Sequence, residues 1–125
     1  MLFLGNRIFG GIPKYKRIHF VVSDLSDAQK LIDFCTTGNT KNFAFIYHIN
    51  DCYCKCGHYH FYFEFKQWLD ECEIEQITGV SSLYFSEVKG SLNNLISYFI
   101  KGHPGTELTV SPDDLITDLD VYKFY

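Results

Sequence analysis

At 125 residues the chain fits a single domain that can bury a sizeable core, and twelve Phe and nine Tyr supply bulky side chains for it. No apolar run is long enough to cross a bilayer, and the segment 1–11 is too short and interrupted for a secretory signal, so we expect a protein that stays inside the cell. The net charge of −4 argues against unspecific affinity for nucleic acid, because neutralising phosphates takes Lys and Arg.

Hydrophobic alternation, helical spacing and capping residues divide the chain into seven predicted elements in the order β-α-β-β-α-β-α. They are a strand at 17–23, a helix that follows the N-cap residues 23–27 and stops at 37–39, strands at 42–48 and 57–65, a helix at 66–77, a strand at 80–88 and a helix at 91–101. This order predicts an α+β fold of the ferredoxin-like, split βαβ kind, with an antiparallel sheet and helices on one face. We expect one domain over 1–125, with its core at about 15–105 and an acidic extension at 106–125.

Positive charge is concentrated near the start of the chain. Up to residue 17 there are four cations and no acid, whereas acids cluster at 70–75 and 113–120. A locally basic face on an acidic domain is therefore expected, and Lys16, Arg17 and His19 are the candidate DNA-binding residues. His19 lies within the first predicted strand and is interpreted as a structural or substrate-facing side chain.

The five cysteines are expected to be free thiols. The count is odd, and Cys52, Cys54 and Cys56 alternate along the chain, which makes them poor disulfide partners. A competing interpretation uses these three with His58 and His60 for structural zinc, although their spacing differs from the usual cysteine pairs with two intervening residues.

The third predicted strand carries the candidate metal ligands. Period-two alternation turns its Phe side chains toward the helices and leaves His58, His60 and Glu64 on the opposite, open face. His48 ends the preceding strand and Asp51 enters the hairpin loop, so both are expected nearby. Imidazoles with a carboxylate suit Mn²⁺ or a similar divalent ion, and Mg²⁺ less well. Glu64 is expected to support a ligand rather than to bind the ion.

Tyr98, in the last predicted helix, is the candidate nucleophile. It flanks the apolar stripe of that helix, with Asn94 and Lys101 on its own side at i−4 and i+3. A nearby ammonium group or metal ion would favour the phenolate form of a tyrosine, which is the form that attacks. Asn94 is predicted to have a supporting role. The alternative is a boundary aromatic that covers the edge of the helix.

Two motifs together resemble those of the HUH endonucleases. The segment 58–60, His-Tyr-His, resembles their His-hydrophobe-His motif, and the segment 98–101, Tyr-Phe-Ile-Lys, resembles their single-tyrosine motif. With His48 and Asp51 ahead of the triplet, the set is most similar to replication initiators of small rolling-circle plasmids of Gram-positive bacteria. The resemblance covers roughly residues 17–105.

The resemblance implies a nickase and strand transferase that acts on single-stranded DNA at an origin hairpin. Mn²⁺ or Mg²⁺, held by the four ligands named above, would polarise the scissile phosphate. Tyr98 would attack it, forming a 5′-phosphotyrosine bond and freeing a 3′ hydroxyl to prime replication. Lys101 would assist by contacting the phosphate or water on the metal. The implied partners are the host replication helicase and polymerase, with further C-terminal domains outside this chain and no membrane. The implied location is the cytoplasm, or the host nucleus for a eukaryotic virus.

Other functions are compatible with the same residues. A nucleic-acid-binding module on this scaffold would use the histidines structurally, or for zinc, and would not cleave DNA. A single-tyrosine relaxase or transposase would share the chemistry but not the replication role. The Tyr98 hydroxyl separates cleavage from binding alone, because only the first requires it.

Overall fold

The structure, a computed structural model, describes residues 7–9, 11–49, 57–101 and 114–119, and at 7–9 and 101 it describes only the backbone. These residues form six strands, three α-helices and one 3₁₀ turn. The elements are β1 (Arg7–Phe9), β2 (Ile12–Val22), α1 (Leu25–Phe34), β3 (Thr40–His48), β4 (His58–Leu69), α2 (Glu71–Thr78), a 3₁₀ turn (Ser82–Tyr84), β5 (Phe85–Glu87), α3 (Leu92–Lys101) and β6 (Ile116–Thr117). The predicted α+β class is confirmed. Within these ranges, no helix combines the length and the apolar character needed to cross a membrane.

The strands form an antiparallel sheet in the order β1-β2-β4-β3-β6, and β5 also pairs with β2. β1 pairs with the beginning of β2, and β5 with its second half. The long strand β4 lies between β2 and β3, so Phe61 faces Phe20 on one side and Phe45 on the other. This arrangement is compatible with the predicted ferredoxin-like plan.

One face of the sheet packs against α1 and α2. The alternate β4 residues Phe61, Phe63 and Phe65 are fully buried there, as the alternation predicted, with Leu31 of α1 and Ile74 of α2 in the same core. Burying one phenylalanine side chain stabilises the fold by about 1.5–3 kcal/mol. This row is therefore a main source of stability for the sheet.

The prediction of helices on one face is wrong, because α3 packs on the opposite face. Its Ile96, Phe99 and Ile100 form a second core with Ala44, Ile46, Tyr62 and Leu115. Both α3 and this face of the sheet are apolar at the contact, and burial against each other removes both surfaces from water. The face that carries the histidines is consequently covered rather than open.

Several predicted boundaries also differ from the structure. The first strand, predicted at 17–23, begins at Ile12, and the short strands β1 and β6 were not predicted. Residues 66–69 continue β4 instead of starting a helix, since Leu69 still pairs with Tyr15. Helix α2 then begins after Asp70, which forms a reciprocal capping box with Glu73, and ends at Gly79, whose φ of 77° suits a left-handed cap. In the predicted strand 80–88, Ser82–Tyr84 form a 3₁₀ turn, and only Phe85–Glu87 form a strand, β5.

Substituting Asp70→Ala should destabilise the fold by about 1 kcal/mol, because the Glu73 backbone N–H loses the carboxylate that accepts its hydrogen bond at 2.8 Å. Urea unfolding measures the change. Gln76→Ala, at an exposed position of the same helix, is the control and should leave stability almost unchanged. Equal effects of the two substitutions would contradict the capping assignment.

Candidate metal centre and tyrosine

Three histidine side chains meet on the face of the sheet that α3 covers. His48 ends β3 directly opposite His58, the first residue of β4, and His60 follows two positions later. One potential ligand nitrogen from each lies within 4.8 Å of the others. The three residues are at most 2 % exposed, so the cluster is shielded from bulk solvent. The structure thus brings together three of the four predicted ligands.

A backbone carbonyl determines which nitrogen of His48 can bind a metal. His48 Nε2 lies 2.7 Å from the carbonyl oxygen of Phe99, in α3. A carbonyl oxygen only accepts hydrogen bonds, so Nε2 carries the proton and donates. In a neutral imidazole the lone pair is then on Nδ1. Ligating histidines typically donate their other N–H in this way, so His48 has the arrangement of a ligand.

His60 has a different partner on its other side. Its Nδ1 lies 2.8 Å from Nε2 of His19, which comes from the neighbouring strand β2, and the two rings are stacked with centroids 5.1 Å apart. With Nδ1 in this hydrogen bond, Nε2 is the nitrogen through which His60 would reach a metal. The sequence predicted no contact between these two histidines.

Tyr98 lies beside the histidine cluster. Its ring centroid is 5.2 Å from that of His60 and 5.8 Å from that of His48, with nearly perpendicular planes. The side chain is half-buried, at the edge of the second core. Because Phe99, the next residue, accepts the hydrogen bond of His48, the same turn of α3 contributes the tyrosine and a partner for the cluster.

Two predicted site residues cannot be placed in this geometry. Asp51 and the Lys101 side chain lie outside the described residues, and so do the cysteines at 52, 54 and 56 that the zinc alternative requires. The backbone of Lys101 is described and belongs to the last turn of α3.

The two predicted supporting residues are Glu64, on β4, and Asn94, on α3. Glu64 Oε1 accepts hydrogen bonds from Tyr62 Oη and Asn42 Nδ2, both at 3.4 Å, and Oε2 lies 3.8 Å from Lys41 Nζ. Asn94 is exposed on α3 and lines a cavity next to Tyr98.

Tyr62 lies between His60 and Glu64 on the covered face and is fully buried. Burial raises the pKa of the Tyr62 phenol, and the Glu64 carboxylate adds to that effect, although the nearby Arg17 guanidinium opposes it. Tyr62 therefore stays a neutral hydrogen-bond donor at physiological pH. Tyr62 donates to Glu64 and lies between Glu64 and His60 along β4.

Two cavities flank the segment that leads into α3. One, of about 330 Å³, is lined by His19, Glu87, Lys89, Asn94 and Tyr98 among others. The second, of about 280 Å³, shares Glu87, Val88 and Lys89 with the first and is also lined by Lys16, Arg17 and Trp68. The predicted basic residues Lys16 and Arg17 therefore lie next to an aromatic ring, one cavity away from Tyr98.

Contacts hold this basic region in place. Arg17 Nη2 donates to the carbonyl oxygen of Gly90 at 3.1 Å, which ties β2 to the segment before α3. Lys16 Nζ donates to the carbonyl oxygen of Lys66 at 3.0 Å and lies 6.0 Å from the centroid of the Trp68 ring. Trp68 and Lys89 were not singled out from the sequence, since neither belongs to a motif.

The fold and site define an antiparallel α+β protein with a buried cluster of three histidines and an adjacent tyrosine. Comparisons with protein-family models, with curated proteins and with solved structures give no match. The functional assignment therefore depends on the geometry of the site.

Mn²⁺ should raise the unfolding temperature of the protein, and His58→Gln should remove that effect, because a ligand that binds only the folded state stabilises it. At a free Mn²⁺ concentration one hundred times Kd, the free energy of unfolding rises by about 2.7 kcal/mol. Thermal unfolding with and without Mn²⁺ measures it. Asp33→Asn is the control and should keep the shift, since Asp33 is an exposed carboxylate on α1, on the other face of the sheet. An unchanged shift in the His58 variant would count against the metal centre.

Proposed function

We propose that the chain is a metal-dependent single-stranded DNA endonuclease and strand transferase of the HUH type, which opens an origin for rolling-circle replication. The observation that carries the proposal is the position of Tyr98 beside the buried cluster of His48, His58 and His60. Phosphodiester transfer by a tyrosine needs a nucleophile and a group that offsets phosphate charge in one place. Tyr98 would be the nucleophile, and the histidine cluster would hold the ion that offsets the charge.

The histidines fit a metal ion. Burying three imidazoles is costly unless their nitrogens have partners. Nε2 of His48 and Nδ1 of His60 have protein partners, so Nδ1 of His48 and Nε2 of His60 are the nitrogens through which these two residues would bind an ion. Imidazole donors favour first-row transition ions, whereas Mg²⁺ prefers oxygen ligands. Mn²⁺ is therefore favoured over Mg²⁺, and Asp51 remains the predicted oxygen ligand. When bound, the ion would polarise the scissile phosphate and offset its negative charge.

The chain's own residues would carry the covalent steps. The Tyr98 phenol loses its proton and its oxygen bonds to phosphorus, while the bond from phosphorus to the 3′ oxygen of the preceding nucleotide breaks. That oxygen takes up a proton and leaves as a 3′ hydroxyl, and the phosphate stays joined to the following nucleotide as a 5′-phosphotyrosine. Attack by a DNA hydroxyl on the phosphotyrosine reverses the step and rejoins strands. Lys101 remains the predicted helper of this transfer.

The two cavities before α3 support a path for the DNA strand. Three cations line them, Lys16, Arg17 and Lys89, against one carboxylate, Glu87, and Trp68 offers an aromatic face on which a base can stack. This local charge suits a phosphate backbone despite the acidic chain as a whole. The path would bring a strand past Lys89 to Tyr98.

Tyr98→Phe should abolish a covalent protein–DNA adduct, because the attacking oxygen is removed while the ring is kept. The test mixes the protein and Mn²⁺ with labelled single-stranded oligonucleotides from candidate origin hairpins of its own replicon, followed by a denaturing gel. Tyr84→Phe, at an exposed tyrosine, should form as much adduct as the unsubstituted protein, and chelating the metal should prevent it. DNA binding without any adduct would favour the non-catalytic binding module.

Trp68→Ala should weaken the binding of single-stranded DNA by about 1–3 kcal/mol, the usual value of one base stacked on an aromatic ring. Lys89→Gln should lower the slope of log K against log salt by about 0.7, because one phosphate contact is lost. Fluorescence anisotropy at several salt concentrations measures both. Lys30→Gln is the control, since Lys30 is on α1, on the other face of the sheet. Effects equal to those of Lys30→Gln would contradict the proposed path.

A further inference from the structure

A hydrogen bond joins His19 to His60, and none of the sequence motifs predicts it. His19 is in β2, where it pairs with Tyr62, and Val21 pairs with His60, so the two histidines are diagonal neighbours on the covered face. Their nitrogens, Nε2 of His19 and Nδ1 of His60, are 2.8 Å apart. The ring of His19 also lies 5.4 Å from that of Phe99, which packs it between the sheet and α3.

Only one of the two arrangements of this hydrogen bond allows His60 to bind a metal. A neutral imidazole carries one N–H and one lone pair. If His19 donates, then Nδ1 of His60 accepts, and the proton of His60 is on Nε2, where it blocks ligation. If His60 donates from Nδ1, its Nε2 carries the lone pair that a metal needs.

We propose that His19 is a positioning residue that accepts a hydrogen bond from Nδ1 of His60 and thereby holds Nε2 of His60 ready for the metal ion. The inference rests on the metal centre of the proposed function and deepens it. It also gives His19 a use other than the predicted contact with DNA, because Nε2 of His19 is engaged with His60.

His19 and the Phe99 carbonyl, the partner of His48, differ in whether they can donate a hydrogen bond. The Phe99 carbonyl can only accept, so it fixes the proton of His48 whether or not a metal is bound. An imidazole can accept or donate, so the proton positions in the His19–His60 pair and metal binding at His60 are coupled. Metal binding selects the arrangement in which His60 donates, and any change that favours this arrangement raises metal affinity.

Two substitutions separate the hydrogen bond from the packing. His19→Phe keeps a ring against His60 and Phe99 but has no acceptor. His19→Gln loses the ring but offers an amide oxygen that can accept from Nδ1 of His60. Titration calorimetry with Mn²⁺ gives the affinity of each full-length variant. Two further measurements use the metal-free variants. Two-bond proton–nitrogen spectra of the imidazoles report which nitrogen of His60 carries the proton, and thermal unfolding checks the fold.

We expect His19→Phe to bind Mn²⁺ about 10- to 100-fold more weakly, the usual cost of losing the partner of a ligating histidine, with the His60 proton moved to Nε2. His19→Gln should bind close to the unsubstituted protein, with the proton kept on Nδ1. Undiminished affinity in His19→Phe would overturn the inference, and so would equal losses in both variants, which would indicate ring packing.

The outcomes also separate this inference from the proposed function. If the unsubstituted protein binds Mn²⁺ and only His19→Phe is impaired, but no covalent adduct forms with DNA, the strand transferase fails and the role of His19 stands. If the unsubstituted protein binds no Mn²⁺, both fail. If Mn²⁺ binding and adduct formation are both unaffected by His19→Phe, only the role of His19 fails.

Discussion

Strand β4 is paired on both sides, and its strict alternation supplies both faces of the protein. Phe61, Phe63 and Phe65 bury against α1 and α2, while His58 and His60 point to the other face. A slip of one residue in its pairing would exchange the two sets, placing imidazoles in the larger core and phenylalanines at the site. The aromatic row therefore fixes the register of the histidines, and the stability of the fold and the geometry of the site depend on the same strand.

Helix α3 completes the site by hydrophobic packing. Its residues Ile96 and Phe99 are fully buried against the sheet, and this contact sets the position of Tyr98 at the edge of the cluster. The hydrogen bond from His48 to the Phe99 carbonyl adds a polar link between the helix and the histidines. A substitution that loosens α3 would thus displace Tyr98 and the hydrogen-bond partner of His48 together, so the effects of substitutions at Tyr98 and His48 should not be additive.

The sequence allowed much of the site to be predicted, but not that α3 covers the face of the sheet that carries the histidines. Alternation places His58 and His60 on one face, and the end of the preceding strand places His48 beside them. The pattern of α3 shows that one side of it is buried but not which face of the sheet it covers. The proximity of Tyr98 to the cluster was therefore implied by the family resemblance and could not be worked out from the pattern itself. The contact of His19 with His60 was missed for a similar reason, because it depends on the order and register of β2 and β4. The start of α2 at Glu71 could have been predicted from the capping pair Asp70 and Glu73. The prediction instead followed the spacing of the apolar residues and began the helix at residue 66.

The proposed metal centre consists of His48, His58 and His60 and lies next to Tyr98. Crystals of the full chain grown with Mn²⁺ test it most directly, through the anomalous scattering of the ion. We predict one strong anomalous peak within coordination distance of His48 Nδ1, His60 Nε2 and a nitrogen of His58, on the side of the cluster that Tyr98 borders. A structure in which these three side chains are ordered while the Mn²⁺ peak lies elsewhere, or is absent at saturating metal, would contradict the account.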